Sequence, residues 1–213
     1  MKEQILETIK ELREKEKKRN FSQTFDIVIN LKEIDLKRPE NKFTEDVVLP
    51  HGFGKEAKIA VFSDLIKEIP GADVYNSAYL DMLTRNKRAA KRIAKQTDFF
   101  ISEPKLMPMI GKILGQYIGP KGKLPKLISG DVNMMVKNYK KSVRIKLKDS
   151  PVLQCLVGKE SMKDEQIVEN IEALLKFLET KLPKGKHNIS KILLKLTMSK
   201  PIAIKVEESG KGK

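Results

Sequence analysis

The residues able to do chemistry in this sequence are few and scattered. Its one cysteine, Cys155, sits in the apolar stretch VLQCLV, where packing in a core is favoured over a nucleophilic role. The two histidines are His51, held between Pro50 and Gly52, and His187 in a basic loop. A lone thiol makes no intramolecular disulfide, and one cysteine with two distant histidines does not build a zinc site. The nucleotide and hydrolase signatures G-x-G-x-x-G, G-x-x-x-x-G-K-[ST] and G-x-S-x-G do not occur. What comes nearest is Gly119-Pro120-Lys121-Gly122-Lys123, whose amides and ammonium groups suit a phosphate. A proline–glycine turn on the surface is the more economical reading of the same five residues. No cofactor and no metal are expected.

Charge is more informative. The 213 residues carry 43 Lys+Arg against 28 Asp+Glu, a formal net charge of +15, which favours a polyanionic partner and nucleic acid before membrane. No apolar run approaches the roughly 20 residues that cross a bilayer, and the opening MKEQILETIKELREKEKK has no apolar core of a secretory signal. Residues 54–141 hold 17 basic and 8 acidic side chains (net +9), the remaining 125 residues 26 and 20 (net +6). Within the middle section Arg85, Arg88, Arg92 and Lys95 fall at helical spacing, either a phosphate-contacting stripe or a solvated helix face. A second candidate is less basic: Arg19, Asn20, Phe21 and Thr24 before a strand, and Thr197-Met198-Ser199-Lys200-Pro201 between the last two strands. Hydroxyls, backbone groups and a flat apolar surface suit recognition of RNA by shape and 2′-OH contacts, although each segment alone reads as an ordinary strand end.

The elements that must position these groups follow from periodicity. Ile5, Leu6, Ile9 and Leu12 predict an amphipathic helix over residues 3–18, and alternation after Thr24 predicts a strand to Leu31. A second strand is expected from Phe43 to Leu49, ahead of the break Pro50–Gly54. The rhythm then changes. KIAVF (58–62) and Phe99-Phe100-Ile101 read as strands buried on both faces, with a short helix at 63–68 and a weak strand near Asp73–Tyr75. A helix is expected over 77–97, another from Pro104, a loop at 119–126 and a helix at 131–140. From Val143 the alternating pattern returns: 143–148 and 152–157 read as an antiparallel pair, 164–181 as a helix, and 189–198 and 202–206 as strands before a disordered tail. Three tiny units or one interrupted α+β domain both fit, and residues 1–53 are too few to bury a core alone, which favours the interrupted domain.

Taken together, these segments resemble the L-one family of large-subunit ribosomal proteins, found in the mobile stalk beside the tRNA exit site. The resemblance runs through Arg19-Asn20-Phe21-Ser22-Gln23-Thr24-Phe25-Asp26, then Leu49-Pro50-His51-Gly52, then the specific segment from Leu114 to Pro125. It closes with Val157-Gly158-Lys159, the 164–181 helix and Thr197-Met198. The lack of a long bacterial-type N-terminal extension and the Ser-Lys-Pro ending resemble archaeal or eukaryotic members, with archaeal preferred. The resemblance implies a discontinuous α+β first domain, an antiparallel sheet with two helices, from residues 1–53 plus 142–213. It also implies an inserted three-layer α/β Rossmann-like second domain at 54–141, with a hinge near 52–54 and 141–143. By resemblance the first domain is the main RNA reader, through Phe21, Thr24, Lys159, Thr197 and Met198, flanked by Arg19, Asn20, Ser199 and Lys200. Asp26 is expected to orient neighbouring groups, while Arg85, Arg88, Arg92, Lys121 and Lys123 are expected to make secondary RNA contacts. The implied partners are the stalk of large-subunit rRNA within the large subunit, exit-site tRNA and the protein's own mRNA, whose translation it would repress. The implied location is the cytoplasm, and the free protein is expected to be monomeric. One position departs from the family: Ser199 stands where the family has glycine, a residue that permits positive φ and close backbone approach. The competing reading is an RNA-modifying or nucleotide-dependent enzyme that uses the α/β section for a cofactor.

Overall fold

The computed structural model describes residues 1–17 and 19–204. The chain divides into two compact units, Met1–Lys55 with Ser142–Lys213 and, between them, Glu56–Lys141. In the first unit, α1 (Lys2–Lys15) precedes strand β1 (Thr24–Leu31), whose side chains alternate between a buried and a half-exposed face. Strand β2 (Phe43–Val48) leads toward the second unit and β7 (Ser142–Leu147) returns from it, followed by β8 (Val152–Lys159), α6 (Asp164–Lys181), β9 (Ile189–Leu196) and β10 (Ile202–Ile204). The strands form an antiparallel sheet in the order β10-β9-β1-β8, with β2 and β7 as a separate ribbon. Ile5, Ile9 and Leu12 of α1 and Ile167, Ile171, Leu174 and Leu178 of α6 bury against Phe25, Ile27 and Ile29 of β1 and Leu194 and Leu196 of β9. Both helices thus lie on the sheet face that β1's alternation makes apolar, and burial of these side chains is the main stabilising term of the unit.

The second unit is built on β3 (Ile59–Phe62), β4 (Asp73–Tyr75), β5 (Phe99–Ser102) and β6 (Lys126–Leu127). They make a parallel sheet in the order β4-β3-β5-β6. Ala60, Phe62 and Phe100 point to one face, where α2 (Ser77–Arg85), α3 (Lys87–Gln96) and α4 (Met107–Ile118) supply Leu80, Leu83, Ala90, Ile93, Ile110 and Leu114. Phe99, on the alternate phase, meets Tyr139 of α5 (Val132–Lys140) with ring centroids 5.3 Å apart. Helices therefore cover both faces, which is why β3 and β5 are buried at every position rather than at alternate ones.

Several local expectations are corrected. Residues 63–68 are not helical: the Ser63 hydroxyl accepts from the amides of Leu65 (3.2 Å) and Ile66 (3.0 Å), folding the chain into a side-chain-closed turn. The single helix expected over 77–97 is two, because Asn86 leaves helical φ/ψ and its side chain accepts from Ala89 N at 3.1 Å to cap α3. Strands β7 and β8 do not pair with each other; β7 pairs with β2 and β8 with β1. Alternation identifies a strand but not its neighbour. Here the neighbour is set by Arg144 opposite Asp46, a bidentate pair at 2.6 and 3.3 Å with side chains only 13% and 6% exposed. The 119–126 loop ends in β6, and β9 stops at Leu196 rather than Met198. Lys205, Val206 and the tail lie outside the described residues.

A buried amide ties the 49–52 turn to α6. Asn170 accepts from His51 N (3.1 Å) and donates to the carbonyls of Gly52 (2.6 Å) and Val157 (2.8 Å) while fully buried. Asn170→Ala should therefore destabilise the first unit by about 3 kcal/mol, since it removes three bonds and strands their backbone partners. Urea unfolding followed by circular dichroism measures it.

Candidate nucleic-acid interface

Three segments meet at one end of the first unit's sheet, because β1 is flanked there by β8 and β9. Thr24, opening β1, stands opposite Lys159, which ends β8, and Phe25 stands opposite Leu196, which ends β9. A bulge at Phe25/Asp26 leaves Val157 without a partner residue on β1 and bends this end of the pairing with β8. The turn after β9 is hydrogen-bonded onto β1: Thr24 N donates to Thr197 Oγ1 at 3.0 Å, and Met198 N donates to Gln23 Oε1 at 3.1 Å. On the other side Gln23 N donates to Glu160 Oε2 (3.1 Å) and Glu160 N to Gln23 O (2.9 Å).

Phe21 and Met198 remain 51% and 60% exposed at this end, beside the exposed side chains of Arg19, Asn20, Thr197 and Lys200. Arg19 is paired with Glu16, its guanidinium donating at 3.0 and 3.2 Å. The stem of Lys159 runs against Gly54 (φ +81°), where an added Cβ would fall 2.9 Å from Lys159 Cγ, so only glycine leaves that path open. Ser199 has no positive φ; its hydroxyl accepts Leu196 N at 2.8 Å and closes the turn with a side-chain bond. The serine therefore forms this turn by a route that needs no glycine conformation. Between the turn and the end of α1 lies a cavity of about 290 Å³, lined by Leu12, Lys15, Glu16, Ser199, Lys200 and Ile202.

Asp26 occupies the open face of the sheet opposite Leu156 and Lys195. Partial burial raises its carboxyl above the ordinary range, and the Lys195 charge offsets this only in part. Cys155 packs against the core of the unit, and burial, with a smaller contribution from Asp26, pushes its thiol up to about 12. It stays protonated and unreactive at neutral pH.

In the second unit the predicted basic stripe is divided. Arg85 ends α2, while Arg88, Arg92 and Lys95 lie on α3 with Lys87 and Lys91. All six are exposed and none enters an ion pair among the described residues. The glycine-rich loop does not present a phosphate cradle, because the amides of Gly119, Gly122 and Lys123 donate to the carbonyls of Gly115, Gly119 and Ile118. Lys121 Nζ donates to Ala94 O (3.3 Å), and Lys123 Nζ to Thr97 O with Asp98 at 3.8 Å. These ammonium groups lie at the carbonyl end of α3, where positive charge is favourable. Among the described residues no group of three or more His, Cys, Asp or Glu is arranged to hold a metal.

Sequence reasoning missed Gln23, Glu160, Arg13 and Asn170. Two signals were available: Gln23 falls in the buried phase of Phe25, Ile27 and Ile29, and Asn170 in the apolar stripe of α6. A polar side chain in an inward position must be serving specific partners.

One unit with an antiparallel sheet backed by two helices and a second with a parallel sheet between helices define a mixed α/β protein. The model of the Ribosomal protein L1p/L10e family matches residues 12–200, and the chain belongs to that family of ribosomal proteins, which are not enzymes. Among curated relatives, the large ribosomal subunit protein uL1 of the archaeon Pyrococcus horikoshii is 45% identical over 209 residues, covering 95% of each chain. The protein of that name from Methanocaldococcus jannaschii is 45% identical over 215 residues, covering 98% of each. That from Methanothermococcus thermolithotrophicus is 45% identical over 208 residues, covering 95% of this chain and 98% of its own. The family resemblance and its archaeal character are thereby confirmed.

A raised carboxyl means the folded state prefers Asp26 protonated, so its ionised form costs stability at neutral pH. That cost is absent below the unfolded carboxylate range, builds as pH rises from there toward the folded value and is complete above it. Asp26→Asn should raise Tm at pH 7, and the difference should vanish near about pH 3. Thermal melts at the two pH values check it.

Proposed function

We propose that this protein binds the stalk of large-subunit rRNA with the Phe21/Thr24/Lys159/Thr197/Met198 end of its first unit. In this reading it works in the cytoplasm within the large ribosomal subunit and supports departure of deacylated tRNA from the exit site. It also represses translation of its own mRNA by binding a stalk-like structure there. Residues 1–53 plus 142–213 act as the RNA-reading domain, and 54–141 as an inserted Rossmann-like domain that moves about a hinge near 52–54 and 141–143.

The observation that carries the reading is convergence. Residues from three distant segments share one sheet end, held by backbone and side-chain hydrogen bonds, with an aromatic ring and a thioether left facing solvent. Relatives named as large-subunit proteins along nearly the whole chain support the ribosomal setting. Recognition needs no bond-making step: the flat apolar groups offer surface to exposed bases, and Thr197, Ser199 and backbone groups suit 2′-OH and phosphate oxygens. The unneutralised cations of α3 add long-range attraction and a secondary contact.

Thr197→Ala or Met198→Ala should lower stalk-RNA affinity about tenfold or more, the worth of roughly 1.4 kcal/mol, and leave unrelated structured RNA nearly unaffected. Equal losses on both RNAs, in filter binding at fixed salt, would overturn the assignment of this face. Arg88→Gln with Arg92→Gln should lower the salt slope of tRNA binding by about two counterions and spare stalk-RNA affinity. An unchanged slope would remove α3 from the interface.

A further inference from the structure

Gln23 is fully buried although it lies at the rim of the proposed RNA face. Its backbone is clamped to Glu160 by the reciprocal pair at 3.1 and 2.9 Å, and its side-chain oxygen accepts the Met198 amide at 3.1 Å. That bond fixes the orientation of the amide group, because Met198 N–H needs an acceptor and only Oε1 supplies one. The consequence is visible on the other atom: Gln23 Nε2 has no partner, the one such buried side-chain atom found among the described residues. A buried N–H left unmade is tolerated where the same group does something an apolar residue cannot.

Glu160 is itself held from behind. Arg13 Nη1 donates to Glu160 O at 2.7 Å, Nη2 to Met162 O at 2.8 Å and Nε to Asp164 Oδ1 at 2.8 Å, with the guanidinium 5.3 Å from the centre of the Phe25 ring. A continuous chain of contacts therefore runs from α1 through the turn after β8 to Gln23, and from Gln23 to the turn that carries Met198. Thr197 touches the neighbouring Thr24, so the two turn residues are registered against consecutive residues, Thr24 at the start of β1 and Gln23 just before it.

We infer that Gln23 is the positioning residue of the RNA face: without touching RNA, it sets the height of Met198 relative to Phe21 and Thr24, and it works as a coupled pair with Glu160. This rests on the RNA-binding reading above. The pair is one amide and one carboxylate for an electrostatic reason. Gln23 offers an acceptor oxygen to the Met198 N–H and Glu160 one to the N–H of Gln23 itself, so a carboxylate at both positions would bring two like charges close together.

The test uses the full-length protein in three forms. Gln23→Met deletes the acceptor and the unpaired N–H together, so Tm should stay near wild type. Stalk-RNA affinity should fall about tenfold, while binding to unrelated RNA and the salt slope stay unchanged, and the Met198 amide should exchange faster with solvent. Gln23→Glu should also bind stalk RNA weakly, because it buries a second carboxylate on the residue whose own backbone N–H already donates to Glu160 Oε2. Adding Glu160→Gln to it should restore affinity, since the acceptor for Met198 N–H remains and the repulsion is gone. Wild-type affinity in a folded Gln23→Met protein, or no recovery in the double variant, overturns the positioning role. If Gln23→Met does not fold, the comparison of single and double variants decides alone. Should wild-type protein show no preference for stalk RNA, the functional reading falls, and accelerated or unchanged Met198 exchange then supports or sinks the positioning role separately.

Discussion

A polar side chain carried into an apolar interior has to be paired, and in the first unit three such pairings reach far along the chain. Gln23 meets Met198, Asn170 meets Gly52 and Asp46 meets Arg144, across 175, 118 and 98 residues. Each link joins the segment before the second unit to the segment after it. Apolar burial between α1, α6 and the sheet supplies most of the energy, but it is indifferent to small shifts of register. The buried polar links are not. They fix which strand lies beside which, and so bring Phe21, Lys159 and Met198 to one edge.

Charge plays two different roles in the two units. In the first, many cations are neutralised by nearby carboxylates, as in Arg13 with Asp164, Arg144 with Asp46 and Lys181 with Glu45. In the second, α3 carries five basic residues in ten with no acid, and they face solvent together. The lysines of the glycine-rich loop look equally basic in sequence but lie against the carbonyl end of α3. Net charge is therefore a guide to the partner's sign and a poor guide to which residues meet it.

Legibility in the sequence varied with the range of the determining interaction. The 164–181 helix, the start of β1 at Thr24 and the buried runs of β3 and β5 were readable, because periodicity is a local property. The break at Asn86 was hidden because a capping asparagine and a mid-helix asparagine look alike until the backbone leaves helical φ/ψ. The pairing of β7 with β2 was hidden because it depends on Asp46 and Arg144 lying opposite each other in space. At the candidate site, Phe21, Thr24, Thr197 and Met198 were singled out from motif order, whereas Gln23 and Glu160 carried no motif.

By itself the sequence determined the excess of positive charge, the kinds and approximate limits of most elements, and membership in a ribosomal protein family. Those properties reside in composition, local periodicity and short ordered motifs. Only the tertiary structure decided which strands are neighbours, that Ser199 turns the chain without a glycine conformation, and that Gln23 holds Met198 in place. It also decided that the loop's amides are spent on carbonyls of Gly119 and the last turn of α4, and its lysines on the end of α3. These outcomes turn on hydrogen bonds between groups that the chain separates widely, and such partners acquire an address only when the chain is folded.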